Sequence, residues 1–389
     1  MNNILIKAEE IKDWIIEVRR DLHSTPELGL EEFITKEKIK KYLDEIGIDY
    51  VEFKGHTAVM AFINTVDATK TAAIRADIDA LPIDEVSKTS YKSVFKGKMH
   101  ACGHDAHTAM LLGACKILYS IKDTLQSNVK FFFQPAEETV GGAELMIKDG
   151  CMENPKVDYM FGLHVMPHID TGYIELKYDT LNASTDTINI TIQGKDGHGA
   201  YPHQGIDAIV IAAHVITAIQ SIVSRSIDPT DSAVISLGVI NGGVKGNVIC
   251  DKVNITGTLR TLDPTTRHFT KERIRKIVAS TCESFLGHGV VEFEEGYAPL
   301  VNNNDVVNLV KRNVEDMLGH DKIVMKSKPS LGAEDFSFFI ENTKGAFYHL
   351  GCRNEDKKIT SLLHTSSFDI DEDCLPIGVA LHVKNVLSI

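Results

Sequence analysis

Apolar positions recur at helical spacing over residues 9–24 and again over 31–46, with Pro26 and Gly29 between the two runs. Short runs rich in β-formers follow at 58–63 and 71–75, and a helical pattern starts at His104 and continues through Met110, Leu111 and Ile117 to Tyr119. The apolar runs 129–133 and 159–165 have strand length, with a helical pattern around 143–148 between them. Strands alternating with helices predict an α/β sheet covered on both faces. Ligands collect beyond the carboxyl ends of strands in such sheets. Gln134-Pro135-Ala136-Glu137-Glu138 and His164 occur at such ends.

From residue 184 the rhythm changes. Segment 187–193 alternates as a strand, 206–223 reads as a helix, 233–240 and 252–260 as strands, 265–285 as a helix and 290–294 as a closing strand. This β-α-β-β-α-β order is that of a ferredoxin-like α+β sandwich. The earlier rhythm resumes near Asp305, with 334–340, 347–350 and a final helix from about Asp373. One domain is thus inserted into another: 1–183 with 296–389 form the outer domain, and 184–295 the insert.

Composition narrows the class. A chain of 389 residues with 43% hydrophobic content can bury a large core and is long enough for about two domains. The N-terminal stretch carries charges throughout and does not read as a signal peptide. Apolar segment 206–222 is interrupted by His214, Thr217 and Gln220 and reads as a buried helix, so no membrane partner is expected. Seven cysteines without a secretion signal point to reduced thiols in a cytoplasm. A net charge of -13 argues against nucleic acid as a partner but leaves room for an anionic small molecule held by a local arginine.

The chemistry concentrates in Met99-His100-Ala101-Cys102-Gly103-His104-Asp105-Ala106-His107 and in the Glu137-Glu138 pair. Cys102, His104, Glu138, His164 and His364 make the best metal set, because thiolate, imidazole and carboxylate suit borderline divalent cations. Each has a plain alternative. Cys102 reads equally as a packed thiol, Glu137 and Glu138 as first-turn acids after Pro135, His164 as a core histidine and His364 as a loop residue. A carboxylate next to a liganding one is what a metal-activated water needs as proton acceptor, which favours a hydrolase. Gly332-Ala333-Glu334-Asp335-Phe336 reads as a helix start whose N–H groups could meet an anion.

Read in order, MHACGHDAHTA, FFFQPAEE, GLHV, GHGAYPH, GAEDF and LLHTS resemble the amidohydrolase branch of the aminoacylase–carboxypeptidase metallohydrolases. That branch includes hippurate hydrolases, N-acyl-amino-acid amidohydrolases, auxin-conjugate hydrolases and N-acetyldiaminopimelate deacetylases. The resemblance spans nearly the whole chain and implies a two-metal, exopeptidase-like catalytic domain with an inserted lid or dimerisation domain. It implies that Cys102 is shared by both metals, that His104, His164, Glu138 and His364 are terminal ligands, and that Glu137 is the general base. His198 becomes an oxyanion donor reaching across from the lid of the same chain or of a partner subunit, with His203 the weaker candidate. Asn247 and Arg260 fall at positions that bind substrate in relatives. Arg75 replaces a ligating histidine of the peptidase branches and cannot ligate, while Asp77 and Asp79 read either as orienters of the ligands or as strand-end turn residues.

The expected activity is cleavage of N-acyl amino acids by a homodimer or higher homo-oligomer, with two divalent metals, manganese or zinc before cobalt or nickel. N-acetyldiaminopimelate deacetylation comes second and dipeptide or carboxypeptide cleavage third. A non-catalytic metal-binding protein is the reading from a different class.

Overall fold

A computed structural model describes residues 3–389. They form two compact units. The first takes the chain up to Asp179 together with Val301–Lys328 and Asp335–Ile389, and the second takes Thr180–Leu300 and Pro329–Glu334. The insert is several residues wider at each end than 184–295 and draws in an irregular return segment that no periodicity announces. The first two residues of the expected 1–183 segment lie outside the described residues.

The first unit is built on an eight-stranded mixed sheet in the order Tyr50–Glu52, Val59–Ile63, Asn128–Gln134, Thr71–Asp77, Tyr159–Asp170, Lys344–Arg353, Ile174–Leu176 and Ile323–Met325. The strands nearest the centre run parallel: Thr71–Asp77 pairs with both Asn128–Gln134 and Tyr159–Asp170, and Lys344–Arg353 with the latter. Val59–Ile63 and Ile174–Leu176 run antiparallel to their inner neighbours. Every residue of Thr71–Asp77 is buried, which is why this strand reads as a continuous run without alternation. Helix His104–Ser120 is buried on nearly all sides, as an apolar core helix must be, and packs between the sheet and helices Lys12–His23 and Leu375–Val386.

In the second unit the strands pair antiparallel in the order Ala233–Gly242, Lys252–Thr261, Asp186–Gln193 and His288–Glu295. This is the ferredoxin-like arrangement. Ile188, Ile190 and Ile192 alternate into a core shared with Ile211, Val215 and Ile219 of helix Ala208–Arg225 and with Ile274 and Val278 of helix Pro264–Ser284. Among the described residues, Ala208–Arg225 is the one helix long and apolar enough to cross a membrane. Here its stripe from Ala208 to Ile222 lies against the unit's own core.

The helix expected over 334–340 shrinks to the five residues Phe336–Ile340. The helix opens at Phe336 directly after Asp335, and Glu334 is not part of it. The side chain of Asp335 is drawn into a buried polar link described below.

On strand Ile174–Leu176, Glu175 accepts from Nδ1 of His349 at 2.7 Å and from Lys326 at 3.1 Å. Burial works against its charge, but these donors outweigh burial and bring its pKa down to about 2 from 4.5. Burial lowers the pKa of His349 against the pull of Glu175, and Lys326 adds a permanent positive charge. A carboxylate whose pKa is lower in the folded state stabilises above its unfolded pKa and loses that contribution as pH falls. Glu175→Gln is therefore expected to destabilise the protein above pH 4.5, with the gap closing as pH approaches about 2. Urea denaturation of both proteins across that range checks this, and a gap independent of pH contradicts it.

Candidate metal centre and active site

The site forms beyond the ends of Thr71–Asp77 and Asn128–Gln134, whereas His164, expected at a strand end, lies inside the longer strand Tyr159–Asp170. Residue 103 must pass from an extended turn into a helix with φ +87°, and a Cβ there would lie 2.4 Å from Cγ2 of Val165. Only glycine meets both conditions. Its turn places Cys102 before the helix and His104 at the helix start. Cys102 Sγ lies 3.3 Å from Nε2 of His164 and 3.3 Å from Nε2 of His364. Glu138 Oε1 lies 3.1 Å from Nε2 of His364 and 4.0 Å from Nε2 of His104.

These donors fall into two groups that share Cys102. One is Cys102, His104 and His164, the other Cys102, Glu138 and His364, and within each the ligand atoms lie within 4.8 Å of one another. Glu137 joins His104 and Glu138 in a third such group. All five expected metal residues and Glu137 are thus brought together from four separated segments.

The donor set fits cations. His164 donates from Nδ1 to the carbonyl of Val165 at 2.7 Å, which leaves the lone pair of Nε2 facing Cys102. His104 holds Asp79 Oδ1 through Nδ1 at 3.2 Å, and its buried Nε2 has no hydrogen-bond partner among the described residues. An orphaned buried nitrogen of this kind calls for a ligand. Burial alone would suppress a charge on His104, yet the carboxylates of Asp77, Asp79 and Glu138 overcome it and raise its pKa to about 10. Burial, reinforced by Glu138, Glu137 and Asp77, pushes the Cys102 thiol well above its ordinary value. A divalent cation reverses that balance, because a coordinated thiol gives up its proton.

Asp77 and Asp79 do more than end a strand. Asp79 accepts from His104 and, through Oδ2, from the Glu138 amide at 3.0 Å. Asp77 accepts from His107 Nδ1 at 2.6 Å and from Arg75 at 2.8 Å. Although Asp77, His104 and His107 also cluster within 4.8 Å, the Nε2 of His107 already accepts from the Val165 amide at 2.9 Å. Both its ring nitrogens are engaged, and His107 is a packed residue that supports the ligands.

Sequence reasoning missed the layer beneath. Arg75 is buried and donates to Gln134 at 2.7 Å, Asp77 at 2.8 Å and Asp335 at 2.7 Å, while Asp335 also accepts from Gln134 and from the Ala143 amide. A second buried knot joins Arg19 and His23 to Asp105, each at 2.7 Å, one residue from His104. The one signal available was a charged residue inside an otherwise apolar strand or helix face.

His198, Asn247 and Arg260 belong to the inserted unit. His198 pairs with Val248 in a short ladder, and the Gly199 amide donates to the Asn247 carbonyl at 2.9 Å, so His198 and Asn247 occupy one corner. Arg260 lies on Lys252–Thr261 opposite Val234. Burial lowers its pKa against the pull of Asp186, so it is not a fully solvated strand-end charge. His203 sits in the exposed 3₁₀ turn Pro202–Gln204.

Comparison with known proteins identifies the family. The profile of Peptidase family M20/M25/M40 matches residues 73–388. The chain is similar to thermostable carboxypeptidase 2 of Saccharolobus solfataricus, at 40% identity over 96% of this chain and 95% of the relative. It is also similar to the N-acetyl-L-cysteine deacetylase of Bacillus subtilis, at 39% identity over 96% and 89%. Among solved structures, the YXEP protein of Bacillus subtilis, described as a dinuclear metal-binding peptidase of the M20 family, superposes with a TM-score of 0.86 at 30% identity, covering 98% of this chain and 100% of that one.

Cys102→Ser is expected to lower the metal bound per chain below that of the parent protein, measured by elemental analysis after reconstitution. With cobalt, the sulfur-to-metal absorption band should vanish. Unchanged metal content would return Cys102 to the role of a packed thiol.

Proposed function

The chain belongs to Peptidase family M20/M25/M40, and on that footing we propose that it hydrolyses the amide bond of N-acyl amino acids, releasing a carboxylic acid and a free amino acid. One observation carries the reading. Glu137 is a carboxylate additional to the two donor groups, yet it lies within 4.8 Å of His104 and Glu138. A structural or storage site has no use for a spare base.

Cys102, His104 and His164 would hold one divalent cation, and Cys102, Glu138 and His364 the other. Their mixture of sulfur, nitrogen and oxygen suits zinc or manganese first, then cobalt or nickel. When bound, the cations would acidify a water and polarise the substrate carbonyl. Glu137 takes the proton from that water as the C–O bond forms and delivers it to the departing nitrogen as the C–N bond breaks. His198 serves the oxyanion. Its Nδ1 accepts from the Ala200 amide at 3.1 Å, so the neutral ring carries its proton on Nε2, the free end, as an oxyanion donor requires. Asn247 and Arg260 hold the substrate carboxylate.

Cleavage of a C-terminal residue from a peptide is supported by the likeness to a carboxypeptidase. It breaks the same bond with a peptidyl group as the acyl part, and deacetylation of N-acetyldiaminopimelate is the same reaction on another substrate. Seven unpaired, buried thiols support a reducing cytoplasm as the compartment, and a homodimer or higher homo-oligomer is the proposed assembly.

Metal-loaded protein should release amine from a panel of N-acetyl and N-benzoyl amino acids and N-blocked dipeptides. Glu137→Gln should lose at least about 10²-fold in kcat while binding the same amount of metal. No cleavage of any panel member by the parent protein sinks the amidohydrolase reading. His198→Ala should lower kcat by about 10²-fold with metal content unchanged, and an unaffected rate removes His198 from the oxyanion role.

A further inference from the structure

Ala136, the residue before Glu137, has φ +57°. A residue with a Cβ enters this left-handed region only against steric strain and stays there only where its surroundings compel it. Two surroundings do so. The fully buried carboxylate of Glu32 accepts the Ala136 amide through Oε1 at 3.0 Å, and its Oε2 accepts the hydroxyl of buried Thr57 at 2.5 Å. Gly29 also packs against this turn and leaves no room to spare. A Cβ at that position would lie 2.4 Å from Oγ1 of Thr139 and 3.0 Å from Cα of Ala136.

The Glu138 amide is held in turn by Asp79 at 3.0 Å. The peptide N–H groups on either side of Glu137 are therefore each fixed by a buried carboxylate, from segments that lie 104 and 59 residues away in the chain. A buried carboxylate is costly, and one that meets backbone amides and a hydroxyl rather than a cation needs a reason. Burial, opposed by its hydrogen bonds, raises the pKa of Glu32 to about 7, which shows how poorly its charge is matched.

We infer that Glu32, with Gly29, is a positioning residue for the general base: it clamps Ala136 in its left-handed conformation and thereby sets where the Glu137 carboxylate stands. This rests on the reading of Glu137 as the base. Asp79 aims one flank of Glu137 and a metal ligand together, whereas Glu32 aims the other flank and touches none of the five metal residues among its hydrogen-bond partners.

Glu32→Ala, Glu32→Gln and Gly29→Ala are compared with Glu137→Gln on the metal-loaded enzyme, measuring kcat, KM, bound metal and melting temperature. Misplacement of a reacting group by about 1 Å costs about 10²-fold in rate. Glu32→Ala should lose kcat on that order while KM and metal content hold. Glu32→Gln keeps an acceptor for the Ala136 amide and should recover most of the turnover. Gly29→Ala, which presses on the same turn, should also lower kcat. If Glu32→Ala lowers only the melting temperature, or Glu32→Gln is as impaired as Glu32→Ala, the clamp is refuted. Should Glu32→Ala fail to fold, Gly29→Ala decides, and parent-like kcat in that variant refutes it. An unimpaired Glu137→Gln overturns the general-base reading itself. Loss in Glu137→Gln without loss in the other variants overturns only the clamp.

Discussion

Buried negative charge is the constraint around which the first unit is organised. Asp77, Asp79 and Glu137 are buried, Glu138 nearly so, and the buried thiol of Cys102 lies among them. Burying an uncompensated charge costs several kcal/mol per ion even after relaxation. Arg75 answers Asp77 and Asp335, and His104 faces Asp77, Asp79 and Glu138 at once. The remaining demand for positive charge is what a pair of divalent cations meets. The two donor groups sharing Cys102 place that demand at two adjoining points.

Such a pocket works only if its carboxylates stand apart by design. The structure achieves this through its backbone as much as its side chains. Gly103, Ala136 and His364 have φ of +87°, +57° and +60°, and each introduces or carries a site residue. The His364 amide is tied to the Ala101 carbonyl at 2.8 Å, next to the thiol that its ring approaches. Ala136 is tied to Glu32. Local strain of this kind is stable where long-range hydrogen bonds and close packing determine it from several directions. The sheet supplies those directions, since Thr71–Asp77 and Asn128–Gln134 end side by side and the turns that follow them converge beside the longer strand Tyr159–Asp170.

Legibility in the sequence followed physical range. Helix His104–Ser120, the strand Thr71–Asp77 and the β-α-β-β-α-β order of the insert show in local periodicity, because burial imposes it residue by residue. The three-residue strands Tyr50–Glu52, Ile174–Leu176 and Ile323–Met325 are too short to carry a period. The helix near 336 was overestimated because the apolar Phe336–Ile340 run continues the pattern of acids before it, while Asp335 is recruited elsewhere. Arg75 was legible only as a residue that could not be a ligand. Its partner Asp335 is 260 residues away, a distance over which no spacing rule operates.

By itself, the sequence determined the kinds of chemistry available here. The Cys102-Gly103-His104 spacing, the paired Glu137 and Glu138 and His164 specify soft, borderline and hard donors, and composition specifies a core large enough to hold them. Tertiary structure alone decided that His364 shares the thiol with His164, that His107 is spent on a backbone amide, and that Asp79 and Glu32 set the flanks of Glu137. The reason is that ligand choice depends on which lone pair faces which neighbour. That is settled by contacts between segments far apart in the chain, after the strands have brought their ends together.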